Sequence, residues 1–216
     1  MLKERFRFGD FFSRMWLENA CRPRTLPVPV RRKRFLAPEC VFIFGIANAQ
    51  VCQTMKALYL LRHAKSSWDD PAVRDHDRPL AGRGRKAGAA MARFMAENGI
   101  APRLVLCSTA KRTRQTLALL DDAIEPDEVR YEDDLYGASA TELLERLRAV
   151  PDSVESVLVI GHNPGIQSLA LQLADKRDDM AQKFPTGALA VLRFDGSWSE
   201  LEAAELARFV RPRDLA

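Results

Sequence analysis

Short apolar segments and helical segments alternate along the chain from Met55 onward, and this alternation limits the fold more than any other feature. Most of the strand-like segments are apolar throughout, as strands buried on both faces of a parallel sheet are. They lie at 56–62, 103–107, 156–161 and 187–194, with a weaker one at 207–210. The pattern predicts an α/β domain in which three αβα layers surround a mostly parallel central sheet.

Helical periodicity fills the segments between these strands. Apolar residues recur at helical spacing over 87–95 and again over 110–124, as in helices that bury one face. Ser139-Ala-Thr-Glu142 has the sequence of a capping box and predicts the start of a third helix. Asn163-Pro164 predicts a fourth helix, with the asparagine as N-cap and the proline in the first turn.

Residues 1–54 differ from the rest of the chain in composition and show no sustained hydrophobic period. They hold ten Lys or Arg and four Asp or Glu, a net charge of +6, whereas residues 55–216 carry −2. The basic isoelectric point therefore belongs to residues 1–54 and gives no reason to expect nucleic-acid binding by the domain. We predict a disordered extension over 1–54 and a folded domain over 55–216.

Two further interpretations of residues 1–54 stay open. They are a start-site artefact if translation begins at Met55, or they are a targeting segment. Arg31–Arg34, the apolar stretch 35–47 and Ala47-Asn-Ala49 follow the order of a signal peptide, although proline and charge interrupt the apolar part. No apolar run reaches membrane-spanning length, so we expect a cytoplasmic protein with no membrane partner unless residues 1–54 direct it elsewhere.

Three predicted strands end in residues that can bind or attack an anion. The first ends at Arg62-His63, the second leads into a helix with Arg112, and the third ends at Gly161-His162. Ligands of open α/β sheets bind beyond the carboxyl ends of the strands, so we expect these side chains to converge. A neutral histidine can attack phosphorus, and a guanidinium fork neutralises phosphoryl oxygens.

The motifs around these residues resemble those of the histidine phosphatase superfamily, most nearly its small SixA-type phosphohistidine phosphatases. They cover nearly all of 55–216 and none of 1–54. In order, they are Arg62-His63-Ala-Lys-Ser-Ser-Trp68, Asp77-Arg-Pro-Leu80 with Gly84, Ser108 with Arg112 and Gln115-Thr116, and Gly161-His162-Asn-Pro164. The resemblance implies a phosphoglycerate mutase-like fold and no metal or organic cofactor.

The resemblance also implies the roles of the central residues. His63 would be the nucleophile that becomes phosphorylated, and Arg62, Arg112 and His162 would form the phosphate pocket. Ser66 stands where larger members carry a phosphate-binding Ser or Thr.

The general acid is the least determined part of the predicted site. Larger relatives carry a Glu three residues before a Tyr-Gly pair, and Asp133 occupies that position before Tyr136-Gly137. The alternative is that Asp133 belongs to a solvated acidic loop, because SixA-type members are thought to lack the usual acid. A phosphoramidate leaving group needs little proton donation.

The expected function is hydrolysis of phosphohistidine in proteins, or of small phosphomonoesters, through a phosphohistidine intermediate on His63. The partner would be a phosphorylated protein or a small phosphorylated metabolite, and the oligomeric state is left open. Short segments between the motifs predict an open site, which suits a protein-borne phosphate.

Two alternatives remain at this stage. One is a phosphate-binding scaffold without catalysis, against which the full set of reactive residues argues. The other is a metal-dependent phosphoesterase with His63, His76 and His162 as ligands. The four cysteines form no C-x-x-C pair, so no zinc site is indicated.

Overall fold

The computed structural model describes residues 55–215, and the prediction of a disordered extension lies outside this range. The described strands are β1 (Lys56–Arg62), β2 (Leu104–Ser108), β3 (Glu128–Glu132), β4 (Ser156–Gly161), β5 (Leu189–Phe194) and β6 (Glu205–Val210). The described α-helices are α1 (Gly82–Glu97), α2 (Lys111–Ala118), α3 (Ala140–Arg148), α4 (Gly165–Leu173) and α5 (Asp178–Gln182). Short 3-10 turns lie at Asp75–Asp77, Asp133–Leu135, Trp198–Glu200 and Pro212–Leu215.

The strands form a six-stranded sheet in the order β3-β2-β4-β1-β5-β6. The pairings β2–β3, β2–β4 and β1–β4 are parallel, whereas β1–β5 and β5–β6 are antiparallel. The three parallel pairings place the carboxyl ends of β1, β2, β3 and β4 at one edge of the sheet. A mostly parallel sheet is therefore confirmed, with an antiparallel pair of strands added at one side.

The core lies on both faces of this sheet because successive side chains of a strand point in opposite directions. In β1, Leu58 and Leu60 pack against α3 and α4, while Tyr59 and Leu61 pack against α1 and α2. The central strands are thus buried on both sides, which explains why their sequences are continuously apolar. The arrangement confirms the three-layer αβα architecture.

Strand β3 was not anticipated from the sequence. It is an outermost strand of the sheet, with β2 as its one neighbouring strand, and its residues Glu128–Tyr131 are exposed. Charged side chains on an edge strand protect it from pairing with other chains. They also remove the apolar pattern by which a strand is found, so periodicity alone could not locate β3.

Two helix boundaries also differ from the prediction. The prediction of Asn163 as N-cap is wrong, because Pro164 is the N-cap and α4 begins at Gly165. The Asn163 amide instead donates to the Gln167 Oε1 at 2.9 Å and to the Phe184 carbonyl at 3.2 Å. Helix α2 ends at Ala118, where the backbone hydrogen bonds switch to i→i+3 spacing.

The capping box of α3 is confirmed, and it holds the loop beside α4. The Ser139 Oγ accepts from the Glu142 N–H at 3.3 Å, and the Glu142 carboxylate accepts from the Ser139 N–H at 2.8 Å. The first residue of α4, Gly165, packs so closely on this loop that a Cβ would collide with the Ala138 carbonyl. A glycine is therefore required where α4 meets the loop that carries Tyr136.

A similar close approach holds α1 against the loop that follows β1. A Cβ on Gly84 would collide with the Lys65 carbonyl, and the same carbonyl accepts from the Ala81 N–H at 2.9 Å. The start of α1 is thereby held against Lys65, two residues after His63. Between residues 55 and 215, no helix combines the length and apolar character needed to cross a membrane.

Candidate active site

The ends of three neighbouring strands bring the predicted residues together. Parallel pairing aligns Arg62 of β1 with Gly161 of β4, so His63 and His162 follow side by side. The His63 N–H donates to the Gly161 carbonyl at 3.1 Å, and the two imidazole rings lie 5.1 Å apart between centroids. Both rings are buried, at 8% and 7% exposure, so the pair forms the floor of the site.

The hydrogen bonds of His63 determine which ring nitrogen is free to react. Its Nδ1 lies 2.7 Å from the Ala64 carbonyl oxygen, which can only accept. Nδ1 therefore carries the hydrogen, and Nε2 of the neutral ring keeps its lone pair. Burial lowers the pKa of His63 to about 4, and the nearby positive charge of Arg112 and Arg62 acts in the same direction.

His162 is held in the opposite tautomer. Its Nδ1 accepts from the Arg112 Nη2 at 3.2 Å, and its Nε2–H donates to the Ser108 Oγ at 2.9 Å. Burial lowers the pKa of His162 to about 3, with further contributions from His63 and Arg112. Ser108 is the last residue of β2, so the third strand end fixes the orientation of this ring.

Arg62 places a positive charge beside His63. Its Nη1 donates to the Phe184 carbonyl at 2.7 Å, while its buried Nε has no hydrogen-bond partner among residues 55–215. Burial lowers the pKa of Arg62, which nevertheless stays charged because a guanidinium does not deprotonate in proteins. An unpaired buried donor is costly and favours an acceptor nearby.

Arg112 connects α2 to the loop after β1. Thr116 lies one turn further along α2, and its Oγ1 donates to the Arg112 carbonyl at 2.7 Å and accepts from the Ala64 N–H at 3.0 Å. This pair of bonds holds the helix against the chain next to His63. The buried guanidinium of Arg112 then reaches both His162 and the carboxylate of Asp75.

Asp75 is a site residue that the sequence analysis missed. Its Oδ2 accepts from the Tyr136 hydroxyl at 2.7 Å and from the Arg112 Nη2 at 3.0 Å, and its Oδ1 accepts from the Arg78 Nη1 at 2.7 Å. The hydrogen bond from Tyr136, with those from the two arginines, holds the pKa of the Asp75 carboxyl well below its usual range. The sequence did offer one signal for Asp75. It lies three residues before Arg78, a spacing at which the two side chains can form an ion pair.

Within residues 55–215, the two remaining predicted residues, Ser66 and Asp133, make no hydrogen bond to the histidine pair. Ser66 is buried, and its Oγ accepts from the Arg78 Nη2 at 2.9 Å, so it joins the site through Arg78 and Asp75. Asp133 is exposed and accepts from the Thr109 Oγ1 at 2.6 Å. Within the described part of the chain, no hydrogen bond or ion pair joins Asp133 to the other predicted site residues.

His76, the third histidine, contacts Thr109 and Tyr136. Its Nε2 lies 3.1 Å from the Thr109 Oγ1, and its ring packs edge-on against Tyr136 with centroids 5.0 Å apart. Over residues 55–215, no group of three or more His, Cys, Asp or Glu side chains could hold a metal ion. In this part of the chain, the three histidines considered as ligands of a metal-dependent phosphoesterase therefore do not form a metal-binding group.

The lowered histidine pKa values predict a pH dependence of stability. In the unfolded chain a histidine takes up a proton near pH 6.5, whereas His63 and His162 in the fold do so near pH 4 and pH 3. Between these values the unfolded chain binds more protons, so the free energy of unfolding rises with pH. The two histidines therefore leave the free energy of unfolding undiminished above pH 6.5. They lower it as the pH falls from 6.5 towards 4 for His63 and towards 3 for His162.

Two measurements check this pH dependence. NMR titration is expected to show neither ring charging between pH 8 and pH 5, and urea unfolding is expected to show a lower midpoint at pH 5 than at pH 7.5. In His63→Gln the drop in midpoint should shrink, because one of the two rings is absent. A ring titrating near pH 6.5 in the folded protein would contradict the expectation.

The chain is similar to several known proteins. The model of the histidine phosphatase superfamily (branch 1) matches residues 58–142. An uncharacterized protein of Mycobacterium tuberculosis is 40% identical over 162 residues, covering 71% of this chain and 100% of that protein. An uncharacterized chloroplastic protein of Arabidopsis thaliana is 35% identical over 158 residues, covering 67% of this chain and 70% of that protein.

The chain is also similar to solved structures of SixA proteins. A candidate phosphohistidine phosphatase SixA from Nakamurella multipartitia has 37% sequence identity and a TM-score of 0.67, covering 73% of this chain and 96% of that one. The protein histidine phosphatase SixA complexed with tungstate has 25% identity and a TM-score of 0.63, covering 74% and 99%. With its paired histidines at the strand ends, this chain belongs to the histidine phosphatase superfamily and is of the SixA type.

Proposed function

We propose that this protein is a phosphatase that transfers a phosphoryl group first to His63 and then to water. Its substrate would be phosphohistidine in a protein or a small phosphomonoester. The observation that carries the proposal is the pair of buried, neutral histidines at the sheet edge, 5.1 Å apart and flanked by Arg62 and Arg112. Family membership supports phosphatase activity in general.

The first step uses the free nitrogen of His63. Its Nε2 lone pair attacks phosphorus, the Nε2–P bond forms, and the bond from phosphorus to the leaving group breaks with its electron pair on that group. The Ala64 carbonyl holds the Nδ1–H in place and stabilises the positive charge that develops on the ring. A ring with a pKa of about 4 is available as a nucleophile throughout the neutral range.

The two arginines would neutralise the phosphoryl oxygens during the transfer. Arg62 brings a buried Nε–H without a partner, and Arg112 is fixed by His162 and Asp75 before any ligand binds. Preorganised donors of this kind stabilise developing charge without having to rearrange. Tungstate is an oxyanion of similar shape to phosphate, and its presence in a SixA relative supports an oxyanion pocket.

The second step hydrolyses the intermediate. A water oxygen attacks phosphorus, the Nε2–P bond breaks with its electron pair on Nε2, and the water protons end on phosphate and solvent. His63 leaves as a neutral ring because Nδ1 already carries a hydrogen.

Access to the site favours a phosphoryl group carried on a protein. The longest segment that connects the described helices and strands, residues 63–81, contains one turn of 3-10 helix and one isolated bridge between Ser66 and Leu80. No domain-sized cap therefore stands over the strand ends within residues 55–215. A histidine side chain that projects from a partner protein could reach His63 from that side.

Single-turnover labelling tests the proposal. Enzyme in excess is mixed with radioactive phosphoimidazole, quenched in alkali within milliseconds and digested for mass spectrometry. The expected result is an alkali-stable and acid-labile phosphoryl group on the peptide that contains His63. Turnover without any labelled protein, label on another residue, or tight phosphate binding without turnover would each refute it.

A further inference from the structure

We propose that Asp75 is a specificity-determining residue that favours substrates whose leaving group is a protonated imidazole. Phosphohistidine would therefore be preferred over alkyl phosphomonoesters, whose leaving oxygen must receive a proton. This inference rests on the proposed function, because it concerns the leaving group of the transfer to His63. It assigns a role to a carboxylate whose position beside a phosphate pocket is otherwise unfavourable.

The first observation is that Asp75 is built into the site rather than placed on its surface by chance. Its carboxylate receives hydrogen bonds from Arg112, Arg78 and Tyr136, which come from α2, from the loop after β1 and from the loop before α3. The same Nη2 of Arg112 that contacts Asp75 also contacts the His162 Nδ1. One guanidinium nitrogen therefore separates the carboxylate from the histidine pair.

The second observation is the side of the site on which Asp75 lies. His63 is only 8% exposed and forms the floor, whereas the Asp75 side chain is 49% exposed. In an in-line transfer, the leaving group lies on the far side of phosphorus from the attacking Nε2. The leaving group must therefore face solvent, and we assign to that side the half-exposed carboxylate of Asp75, which one guanidinium nitrogen separates from His162.

The charge of Asp75 then decides what it can do for a leaving group. Three donors hold the pKa of its carboxyl well below the usual range, so the group is ionised at neutral pH. It can accept a hydrogen bond from the leaving group, but it has no proton to give. An ionised carboxylate also repels a second anionic group at the same place.

A protonated phosphoimidazole matches this acceptor. The ring carries phosphorus on one nitrogen, a hydrogen on the other and a positive charge. When the N–P bond breaks, its electron pair stays on the nitrogen, and the ring departs as neutral imidazole with the hydrogen it already carried. A carboxylate that accepts from that N–H stabilises the charged form of the substrate, which is the form with the better leaving group.

An alkyl phosphomonoester does not match it. When its O–P bond breaks, the electron pair stays on oxygen and produces an alkoxide that needs a proton. Asp75 cannot supply one, and Asp133, the acid expected from the sequence, is bound to Thr109 instead. Neither Asp75 nor Asp133 is thus placed to donate a proton, which favours a leaving group that brings its own.

The test compares two substrates in two matched variants. Asp75→Asn removes the charge and keeps the shape. Asp77→Asn makes the same change two residues away, at a partly buried acid that contacts Arg74 and His76. Initial rates are measured with phosphoimidazole and with p-nitrophenyl phosphate, whose leaving group needs neither a proton nor an acceptor. Asp75→Asn loosens the hold on Arg112 for both substrates, and it is expected to lower kcat/KM about 10- to 100-fold more for phosphoimidazole than for the aryl ester.

The controls separate a specificity role from a structural one. Inorganic phosphate should inhibit Asp75→Asn at least as strongly as the wild type, and Asp77→Asn should keep the wild-type ratio of the two rates. A parallel loss for both substrates, or an unchanged ratio, would overturn the proposal. If the amide variant does not fold, Asp75→Ser gives the same comparison with a smaller neutral side chain.

The outcome for the wild type keeps this test distinct from the test of the proposed function. If the labelling experiment yields no phosphoryl group on His63, the proposed function fails regardless of Asp75. If His63 is labelled and the substrate ratio of Asp75→Asn equals that of the wild type, only the specificity role fails.

Discussion

His63→Gln is expected to lower kcat by about four orders of magnitude with every phosphorylated substrate, because the variant has no ring nitrogen to attack phosphorus. The side chain amide keeps a donor for the Ala64 carbonyl, which accepts from the His63 Nδ1 at 2.7 Å in the wild type. The fold should therefore be retained, and circular dichroism with thermal unfolding checks it. Steady-state rates with phosphoimidazole and an aryl phosphate measure the loss.

His76→Gln is the matched control for this prediction. His76 lies near the site, but its contacts are to Thr109, Tyr136 and Asp77 rather than to the histidine pair. Activity is expected to stay close to the wild-type value. Equal losses in both variants would favour chemistry in which the histidines act together, such as metal binding, and a His63→Gln protein with near-normal turnover would rule out His63 as nucleophile.

Arg112→Ala is expected to lower kcat/KM by about 10²- to 10³-fold, as the loss of one preorganised donor to a developing charge does. The change removes the positive charge from the pocket, the hydrogen bond to the His162 Nδ1 and the pairing with Asp75. Arg112→Lys should recover only part of the loss. An ammonium group cannot make both contacts in the fork geometry of a guanidinium.

Arg114→Ala provides the control on the same helix. Arg114 is exposed, and its guanidinium lies over the ring of Tyr131 at 5.9 Å from the centroid, away from the histidine pair. Both variants lose one positive charge, so only a local effect can separate them. Similar losses in the two variants would mean that general attraction of anions, rather than a fixed pocket, explains the role of Arg112.

The buried strands show what sequence can predict about this fold. The strands β1, β2 and β4 have continuously apolar sequences because both faces are covered, and all three were located from that pattern. Parallel strands end at the same edge, so His63 and His162 were expected there, but the pairing of β1 with β4 that sets them side by side came from the tertiary structure. The edge strand β3 escaped because its exposed, charged residues carry no apolar period.

The loop residues show where this reasoning stops. Asp75, Arg78 and Tyr136 lie outside the regular helices and strands, and no periodicity determines the path of the chain through them. Ser66 and Asp133 were chosen by their positions in motifs, yet one is bound to Arg78 and the other to Thr109. Which acid reaches the pocket depends on how the two loops pack.

The sequence by itself determined the αβα fold, the edge of the sheet that carries the candidate site and the choice of His63, Arg62, Arg112 and His162 as its predicted residues. These follow from apolar periodicity and from strand ends, which are local properties of the chain. Only the tertiary structure decided the tautomers and lowered pKa values of the two histidines, and the presence of Asp75 on Arg112. Those features arise from burial and from contacts between residues distant in the chain, and local sequence does not encode them.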